Sequence, residues 1–160
     1  MKIFVISDTH FYHEKIIKYC NRPFSSVEEM NKTLIRNWNE TVSGKDVVLH
    51  LGDFGLGEKG KIAEIISTLN GKKILIMGNH DNWSESFYRE AGFHTVSRFP
   101  ILYDGFYLMS HAPLILSETK PYFNFFGHIH NDSRYVDTAT SKCVSVERIG
   151  YRPLLMYEKN

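Results

Sequence analysis

Residues 73–81, Lys-Ile-Leu-Ile-Met-Gly-Asn-His-Asp, join a short apolar run to a polar tetrapeptide that begins with glycine. A short run of large aliphatic residues, closed by glycine, predicts a buried strand rather than a helix. The same arrangement occurs twice upstream, where 2–7 precedes Asp8-Thr9-His10 and 46–51 precedes Gly52-Asp53. The sequence therefore predicts three buried strands that each end in polar residues.

Amphipathic helices are predicted between these strands. Apolar residues from Val27 to Val42 recur at helical spacing, and Ser26 and Glu29 have the spacing of a capping box. A second helical pattern covers 58–70, and a short third covers 84–91. Alternation of strands with helices favours a largely parallel sheet with helices packed on it.

The second half of the chain is predicted to consist mostly of strands. Asp104-Gly105, a pair typical of a two-residue hairpin turn, lies between the apolar segments 99–103 and 106–110. Further short strands are predicted at 122–126, 134–136, 143–146 and 154–157. Because no linker-like or low-complexity segment interrupts the chain, we predict one α/β domain over residues 1–160.

Composition excludes several classes of function. Lys and Arg number 19 against 18 Asp and Glu, and a net charge of +1 gives no overall field for nucleic acid or an acidic membrane. Two cysteines, Cys20 and Cys143, are too few for a disulfide scaffold or a cysteine-rich zinc module, whereas eight histidines are unusual. With no apolar run typical of a signal peptide or membrane span, the protein is predicted to be cytoplasmic, with no membrane partner.

Metal-binding residue types follow five predicted strands, and ligands of α/β domains bind outside the carboxyl ends of strands. The candidates are Asp8, His10, Asp53, Asn79, His111, His128 and His130. Alternate residues of an extended segment face the same way, so Asp8 is expected to converge with His10, and His128 with His130. Seven candidates exceed the four ligands of one zinc ion and suit two ions if one carboxylate bridges them.

The donor set also restricts which metal the protein binds. Mixed carboxylate, amide and imidazole ligands suit divalent transition metals better than Ca²⁺, which prefers oxygen ligands alone. Two ions are therefore predicted, with Mn²⁺ favoured and Fe, Zn²⁺, Ni²⁺ and Co²⁺ as alternatives.

In this order, Asp-x-His, Gly-Asp, Gly-Asn-His-Asp, a lone His and Gly-His-x-His resemble the motifs of the calcineurin-like metallophosphoesterase family, over residues 1 to about 130. The resemblance implies a four-layer α/β/β/α sandwich of two facing mixed sheets. It implies one metal held by Asp8, His10 and His130, a second held by Asn79, His111 and His128, Asp53 as the bridge, and His80 as the general acid.

The resemblance implies hydrolysis of a phosphoester. Two cations about 3.5–4 Å apart lower the pKa of a shared water, and a histidine such as His80 can protonate the leaving group. Gly52-Asp53 is not followed by the Asp-Arg-Gly element of the family's Ser/Thr protein phosphatases, and the chain is too short for a capping domain or lid. The prediction is a phosphodiesterase for a small or nucleotide-type diester, similar to small stand-alone bacterial and phage members.

Alternatives remain open at this point. One is a nuclease whose nucleic-acid surface comes from a partner or an oligomer, and another is a non-catalytic scaffold on the same fold; the oligomeric state is not predicted. Asp81 is interpreted as a supporting residue or a helix N-cap, and His13 as a residue that flanks the site or starts a helix. Arg22 is interpreted as a phosphate contact or a packing residue, and His50 as a core histidine.

Overall fold

The computed structural model describes residues 1–117, 119 and 121–159. The strands are β1 (Lys2–Ile6), β2 (Val47–His50), β3 (Lys72–Ile76), β4 (Thr95–Ser97), β5 (Ile101–Tyr103), β6 (Tyr107–Met109), β7 (Phe123–Phe126), β8 (Ser141–Cys143) and β9 (Leu154–Glu158). The α-helices are α1 (Glu14–Tyr19), α2 (Val27–Thr41), α3 (Lys59–Thr68) and α4 (Glu85–Ala91), and a 3₁₀ turn covers Val146–Arg148.

The strands form two sheets, with the orders β4-β3-β2-β1-β9 and β5-β6-β7-β8. In the first sheet β1 to β4 run parallel, and β9 pairs antiparallel with β1. In the second sheet β5 and β6 form the predicted hairpin, and β6, β7 and β8 run parallel. Both sheets are mixed, so the predicted α/β class with two mixed sheets is confirmed.

The first sheet is buried on both faces, as β1 illustrates. Ile3 and Val5 face the second sheet, where they pack in one core with residues such as Met109 of β6. Phe4 and Ile6 face the opposite way, into the core formed with the helices. A strand buried on both faces has no polar alternation, which is why these strands are continuous apolar runs in the sequence.

The outer faces of the two sheets are covered differently. Side chains from the four α-helices belong to the core on the first sheet, including Ile16, Trp38, Ile62 and Tyr88. On the outer face of the second sheet, Phe126 packs instead against Ile129 and Cys143. That outer layer is irregular chain rather than helix in the described residues, because the segments concerned carry prolines or lack helical apolar periodicity.

The start of α2 follows the predicted capping signal in part. The Ser26 hydroxyl oxygen accepts a hydrogen bond from the backbone N–H of Glu29 at 3.1 Å. The Glu29 carboxylate accepts from Ser25 rather than from Ser26, so only one half of the capping box forms. Within the described chain, α2 is the longest helix at 15 residues, and none combines the length and hydropathy that crossing a bilayer requires.

Four short elements differ from the sequence prediction. The strand predicted at 143–146 lies instead at Ser141–Cys143, and a 3₁₀ turn begins at Val146. The strand predicted at 134–136 is wrong: Arg134 donates from its backbone N–H and its guanidinium to the Asp132 carboxylate, and the chain turns there. Strand β4 was not predicted, and α1 was indicated only by the alternative that His13 starts a helix, because α1 buries only Ile16 and β4 only Val96. A single buried residue produces no hydrophobic periodicity, so neither element can be recognised from the sequence pattern.

Candidate metal centre

Carboxylate, imidazole and amide groups converge at the carboxyl ends of strands from both sheets. Asp8 follows β1, Asp53 follows β2 and Asn79 follows β3. His111 follows β6, and the pair His128 and His130 follows β7. The structure therefore brings all seven predicted ligands into one cluster.

Three of these residues form a first group. Donor atoms of Asp8, His10 and His130 lie within 4.8 Å of one another. The buried Asp8 carboxylate also accepts hydrogen bonds from the Ser145 hydroxyl at 2.7 Å and the His128 backbone N–H at 2.9 Å. These bonds fix the orientation of a carboxylate whose other oxygen lies 3.9 Å from His130 Nε2.

A second group lies beside the first. Donor atoms of Asp53, His111 and His128 lie within 4.8 Å of one another. Asn79 Oδ1 joins this group, at 2.9 Å from His111 Nε2 and 3.0 Å from His128 Nδ1. The membership of the two groups is the same as in the predicted assignment of ligands.

Asp53 lies between the two groups. Its Oδ2 atom is 3.5 Å from His10 Nε2 in the first group and 3.5 Å from His111 Nε2 in the second. Its Oδ1 atom accepts a hydrogen bond from the His80 backbone N–H at 2.8 Å. A single carboxylate oxygen is thus placed to interact with two cations.

The hydrogen-bond donors around the cluster indicate that it fits metal ions. His111 Nδ1 lies 2.8 Å from the Leu51 carbonyl oxygen, which can only accept, so this nitrogen carries the proton of the neutral ring. The lone pair of His111 Nε2 then faces another acceptor, Asn79 Oδ1. His10 Nε2 is buried without a hydrogen-bond partner. Lone pairs that converge without protons between them are the arrangement that a cation satisfies.

The pKa shifts of the cluster also indicate that it fits a metal ion. Complete burial raises the pKa of Asp8, because no water stabilises its anion. Burial lowers the pKa of His10, and the neighbouring cations His130 and Arg22 lower it further, so this imidazole stays neutral. Burial also acts to lower the pKa of His130, but its contacts with Cys20 and Glu147 and the charge of Asp8 outweigh burial and raise the pKa to about 10. The carboxylates of Asp8 and Glu147 thus favour a positive charge at the first group.

The backbone at the ligands is left-handed rather than extended. The φ angles are 58° at Asp8, 51° at His10, 56° at Asp53, 71° at His128 and 48° at His130. The predicted convergence of each Asp8–His10 and His128–His130 pair is observed, but its assumed cause, an extended segment, is wrong. Left-handed residues other than glycine cost about 1–2 kcal/mol each, so the surrounding structure must hold these turns.

Two glycines allow the strand ends to come together. A β-carbon at Gly78 would collide with the carboxylate of Asp53, and one at Gly127 would collide with Ser7 and Asp8. Glycine is therefore required at both places for the loops to approach the carboxylates.

Glu147 is a functional residue that the sequence analysis missed. Its Oε1 atom accepts hydrogen bonds from His130 Nδ1 at 3.0 Å and from Arg22 Nε at 2.9 Å, and Arg22 Nη2 lies 2.7 Å away in an ion pair. A carboxylate on the far nitrogen of a ligand histidine fixes the ring and directs its other lone pair towards the metal position. The available signal was weak: Glu147 directly follows the strand predicted at 143–146, as the ligands follow theirs.

Arg22 lies beneath the cluster and not in the substrate space. Its side chain is completely buried, and its guanidinium donates to the backbone oxygens of Asp8 at 2.7 Å and Thr9 at 2.9 Å. The guanidinium is engaged by these bonds and by Glu147, and it lies too deep for a phosphate to reach. Of the two interpretations for Arg22, the structure supports the packing role and contradicts the phosphate contact.

Asp81 supports the site by fixing two loops. Its carboxylate accepts hydrogen bonds from the backbone N–H groups of Gly78, Asp53 and Phe54, each at 2.8–2.9 Å. Burial raises its pKa to about 6 in spite of these donors. It does not cap a helix, because Ser84 caps α4.

The remaining histidines divide between the site and the core. His13 precedes α1, and its Nδ1 atom lies 3.1 Å from His10 Nδ1, so it both starts a helix and flanks the site. His80 is partly exposed, with ring centroids 5.4 Å from His10 and 6.1 Å from His13. His50 is fully buried and hydrogen-bonds Thr9 at 2.9 Å, as expected for a core histidine.

Replacing Glu147 by glutamine is expected to weaken metal binding about 10- to 100-fold, because the residue that orients His130 loses its charge. The metal-free protein is expected to lose about 3 kcal/mol of unfolding free energy, because the buried Arg22 guanidinium loses its anion. Calorimetric titration with Mn²⁺ and urea unfolding measure the two effects. The matched control is Glu40→Gln, which removes the exposed partner of Arg152 and is expected to change neither quantity by more than about 1 kcal/mol. Unchanged metal affinity in Glu147→Gln would remove the positioning role.

Comparison with known proteins places this cluster in context. A family model described as calcineurin-like phosphoesterase matches residues 1–152. An uncharacterised protein of Methanocaldococcus jannaschii is 42% identical over 166 residues, covering 96% of this chain and 86% of that protein. The gene 66 protein of Mycobacterium phage L5 is 40% identical over 78 residues, covering 47% of this chain and 37% of that protein. The crystal structure of a protein of unknown function from Aquifex aeolicus is similar, with a TM-score of 0.71, 26% identity, and coverage of 96% of this chain and 95% of that one. The family match contains every residue of the cluster.

Proposed function

The chain belongs to the calcineurin-like phosphoesterase family, and from this premise we propose that it is a phosphodiesterase that uses two divalent metal ions. Membership implies metal-dependent hydrolysis of phosphoesters; the diester preference, the number of ions and the residue roles are the proposal. The observation that carries it is the position of Asp53 Oδ2, at 3.5 Å from a histidine nitrogen of each ligand group.

The proposal assigns the ligands as two sets joined by Asp53. One ion would be held by Asp8, His10 and His130, and the other by Asn79, His111 and His128. When bound, the two ions would lower the pKa of a shared water and neutralise charge on the phosphate. Mn²⁺ is the ion that we propose first, because the donors mix carboxylate, amide and imidazole.

The protein's own groups would orient the reaction and move the proton. Glu147 holds the ring of His130, and Asp81 holds the loops that carry Asp53 and Asn79. His80 contacts the cluster through its backbone N–H, and its partly exposed ring is free to approach a substrate. We assign His80 the transfer of a proton to the departing oxygen, since an alkoxide is a poor leaving group.

The distribution of positive charge supports a diester over a monoester. A phosphate monoester carries about two negative charges near neutral pH and is commonly bound by arginine forks. Two arginines contact residues of this cluster, and both are engaged: Arg22 is buried against Glu147 and backbone oxygens, and Arg148 donates to the backbone oxygens of His130 and Asp132. A diester carries one negative charge and needs less compensation. Nucleotide-type diesters are the substrate class that we propose.

Chelation followed by metal restoration tests the proposal. Protein stripped with a chelator is expected to lose hydrolysis of bis-p-nitrophenyl phosphate and of dinucleoside monophosphates, and to regain it with Mn²⁺ or another transition metal at about two ions per chain. At a metal concentration about 100 times the Kd, thermal unfolding is expected to reflect about 2.7 kcal/mol of added stability for each ion bound. Faster hydrolysis of p-nitrophenyl phosphate than of any diester would contradict the diester preference, and inactivity with every metal would contradict an enzymatic function.

Long single-stranded nucleic acid belongs in the same assays. Strongly salt-dependent cleavage of single strands, with negligible hydrolysis of small diesters, would favour a nuclease instead.

A further inference from the structure

A recess lies beside the metal centre, on the His80 side. It has a volume of about 50 Å³, opens to solvent, and is lined by Gly55, Leu56, Gly57, His80, Asn82 and Trp83. Two loops form it, the one that follows Asp53 and the one that follows Asn79. Since each loop also carries a proposed metal ligand, the recess directly adjoins the metal centre.

His80 connects the recess to the reacting centre. Its ring lies 5.4 Å from that of His10, between ring centroids, and its backbone N–H donates to Asp53 Oδ1 at 2.8 Å. The same residue lines the recess. A group bound in the recess is therefore next to the proposed proton donor, which is where the leaving side of a substrate has to lie.

Trp83 gives the recess an aromatic wall. The Lys59 ammonium lies 5.0 Å from the Trp83 ring centroid, and the Phe87 ring packs edge-on at 6.0 Å. Neither Lys59 nor Phe87 lines the recess, so the Lys59 ammonium, which lies over one face of the ring, does not occupy it. Trp83 is partly exposed, in contrast to the fully buried Trp38. An indole held in place beside open space is a surface on which a planar ring can stack.

The other residues of the recess suit the edge of a heteroaromatic ring. Asn82 is exposed and offers both a donor and an acceptor. Gly55 and Gly57 contribute backbone to the lining, and a β-carbon at either would collide with a residue outside the recess, Ile62 at 2.7 Å or the Tyr12 ring at 2.7 Å.

We propose that this recess binds the leaving group of the substrate, and that the leaving group is a nucleoside whose base stacks on Trp83. The inference rests on the proposed function, because it uses His80 as the acid for the leaving group. In the reaction, a water oxygen bonds to phosphorus and gives up a proton to solvent, the ester P–O bond breaks, and the released nucleoside oxygen takes a proton from His80. His80 then regains a proton from solvent. Every base has a flat π-face that can stack. The recess is therefore expected to require a base on the leaving nucleoside without distinguishing between bases.

Dinucleoside monophosphates with one base removed test the proposal. Three diesters are compared: the complete one and two analogues, each with an abasic sugar on one side. The products identify the leaving side, because the leaving nucleoside is released without phosphate. Removing the leaving-side base is expected to lower kcat/KM about tenfold, consistent with the strength of base–aromatic stacking, and removing the other base is expected to have a smaller effect. Equal effects of the two removals would overturn the proposal.

Variants of Trp83 assign the preference to the indole. In Trp83→Ala the ratio of kcat/KM between the complete and the leaving-side abasic diester is expected to fall towards one, whereas Trp83→Phe keeps most of it. The matched control is Phe99→Ala, which removes a ring that is 75% exposed away from the recess, and it is expected to keep the full ratio. If Trp83→Ala is active and keeps the wild-type ratio of kcat/KM between the two diesters, the proposal is overturned.

A binding measurement separates this inference from the proposed function. Adenosine added to the metal-free protein is expected to quench tryptophan fluorescence through Trp83, because Trp38 is only 1% exposed. The quenching is expected to disappear in Trp83→Phe. Quenching without hydrolysis of any diester would support the base site while contradicting the enzymatic proposal. Hydrolysis without quenching and without base preference would overturn the base site alone.

Discussion

An Asp53→Asn variant is expected to lose hydrolysis by about a thousandfold or more, because stabilisation of a transition state by metal ions amounts to several kcal/mol. The expectation follows from the position of Asp53 Oδ2, which is 3.5 Å from His10 Nε2 and 3.5 Å from His111 Nε2. A neutral amide oxygen in this place cannot balance two adjacent cations. We therefore expect bound Mn²⁺, measured by elemental analysis after gel filtration, to fall from about two ions per chain to one or none.

The substitution is well suited to this test because it leaves the backbone undisturbed. Asp53 has a left-handed φ of 56°, a conformation that asparagine also tolerates. Asparagine also keeps an oxygen that can accept the hydrogen bond from the His80 backbone N–H. The matched control is Asp104→Asn in the exposed turn between β5 and β6, where the carboxylate pairs with Lys159. Two tightly bound ions and near-normal turnover in Asp53→Asn would contradict the bridging role.

Sequence was sufficient for much of the fold because the signals were local. The strands β1, β2 and β3 are apolar runs closed by polar residues, and α2 has a capping serine at Ser26. The seven ligand candidates follow strands, and parallel strands bring their carboxyl ends to one edge. The same logic could have included Glu147, but a single glutamate after a short strand has too many ordinary explanations.

The rest could not be predicted because it depends on contacts between distant segments. The left-handed turns at Asp8 and His128 are maintained by hydrogen bonds across 120 residues of sequence, from the His128 N–H to the Asp8 carboxylate. The burial of Arg22 likewise depends on Glu147, 125 residues away. No periodicity in either segment indicates such pairing. The sequence was therefore enough to select the candidate ligands, whereas their geometry and their supporting residues required the structure.

Removal of the His80 ring is expected to separate chemistry from metal binding. In His80→Ala, kcat for a dinucleoside monophosphate is expected to fall about 10²- to 10⁴-fold, the usual contribution of a general acid. Bound metal is expected to stay at the wild-type level, because the side chain of His80 belongs to neither ligand group and the backbone N–H that contacts Asp53 is retained. Elemental analysis and steady-state kinetics on the same preparation measure both quantities.

The dependence on the leaving group distinguishes proton transfer from a general loss of structure. A p-nitrophenolate departs without protonation, so bis-p-nitrophenyl phosphate is expected to lose far less rate in His80→Ala than a dinucleoside monophosphate does. A merely misfolded site would slow both substrates alike. The matched control is His94→Ala, which removes an exposed histidine outside the cluster and is expected to change neither rate. Equal losses for the two substrates, or a loss of metal together with activity, would show that His80 supports the site and does not act as its acid.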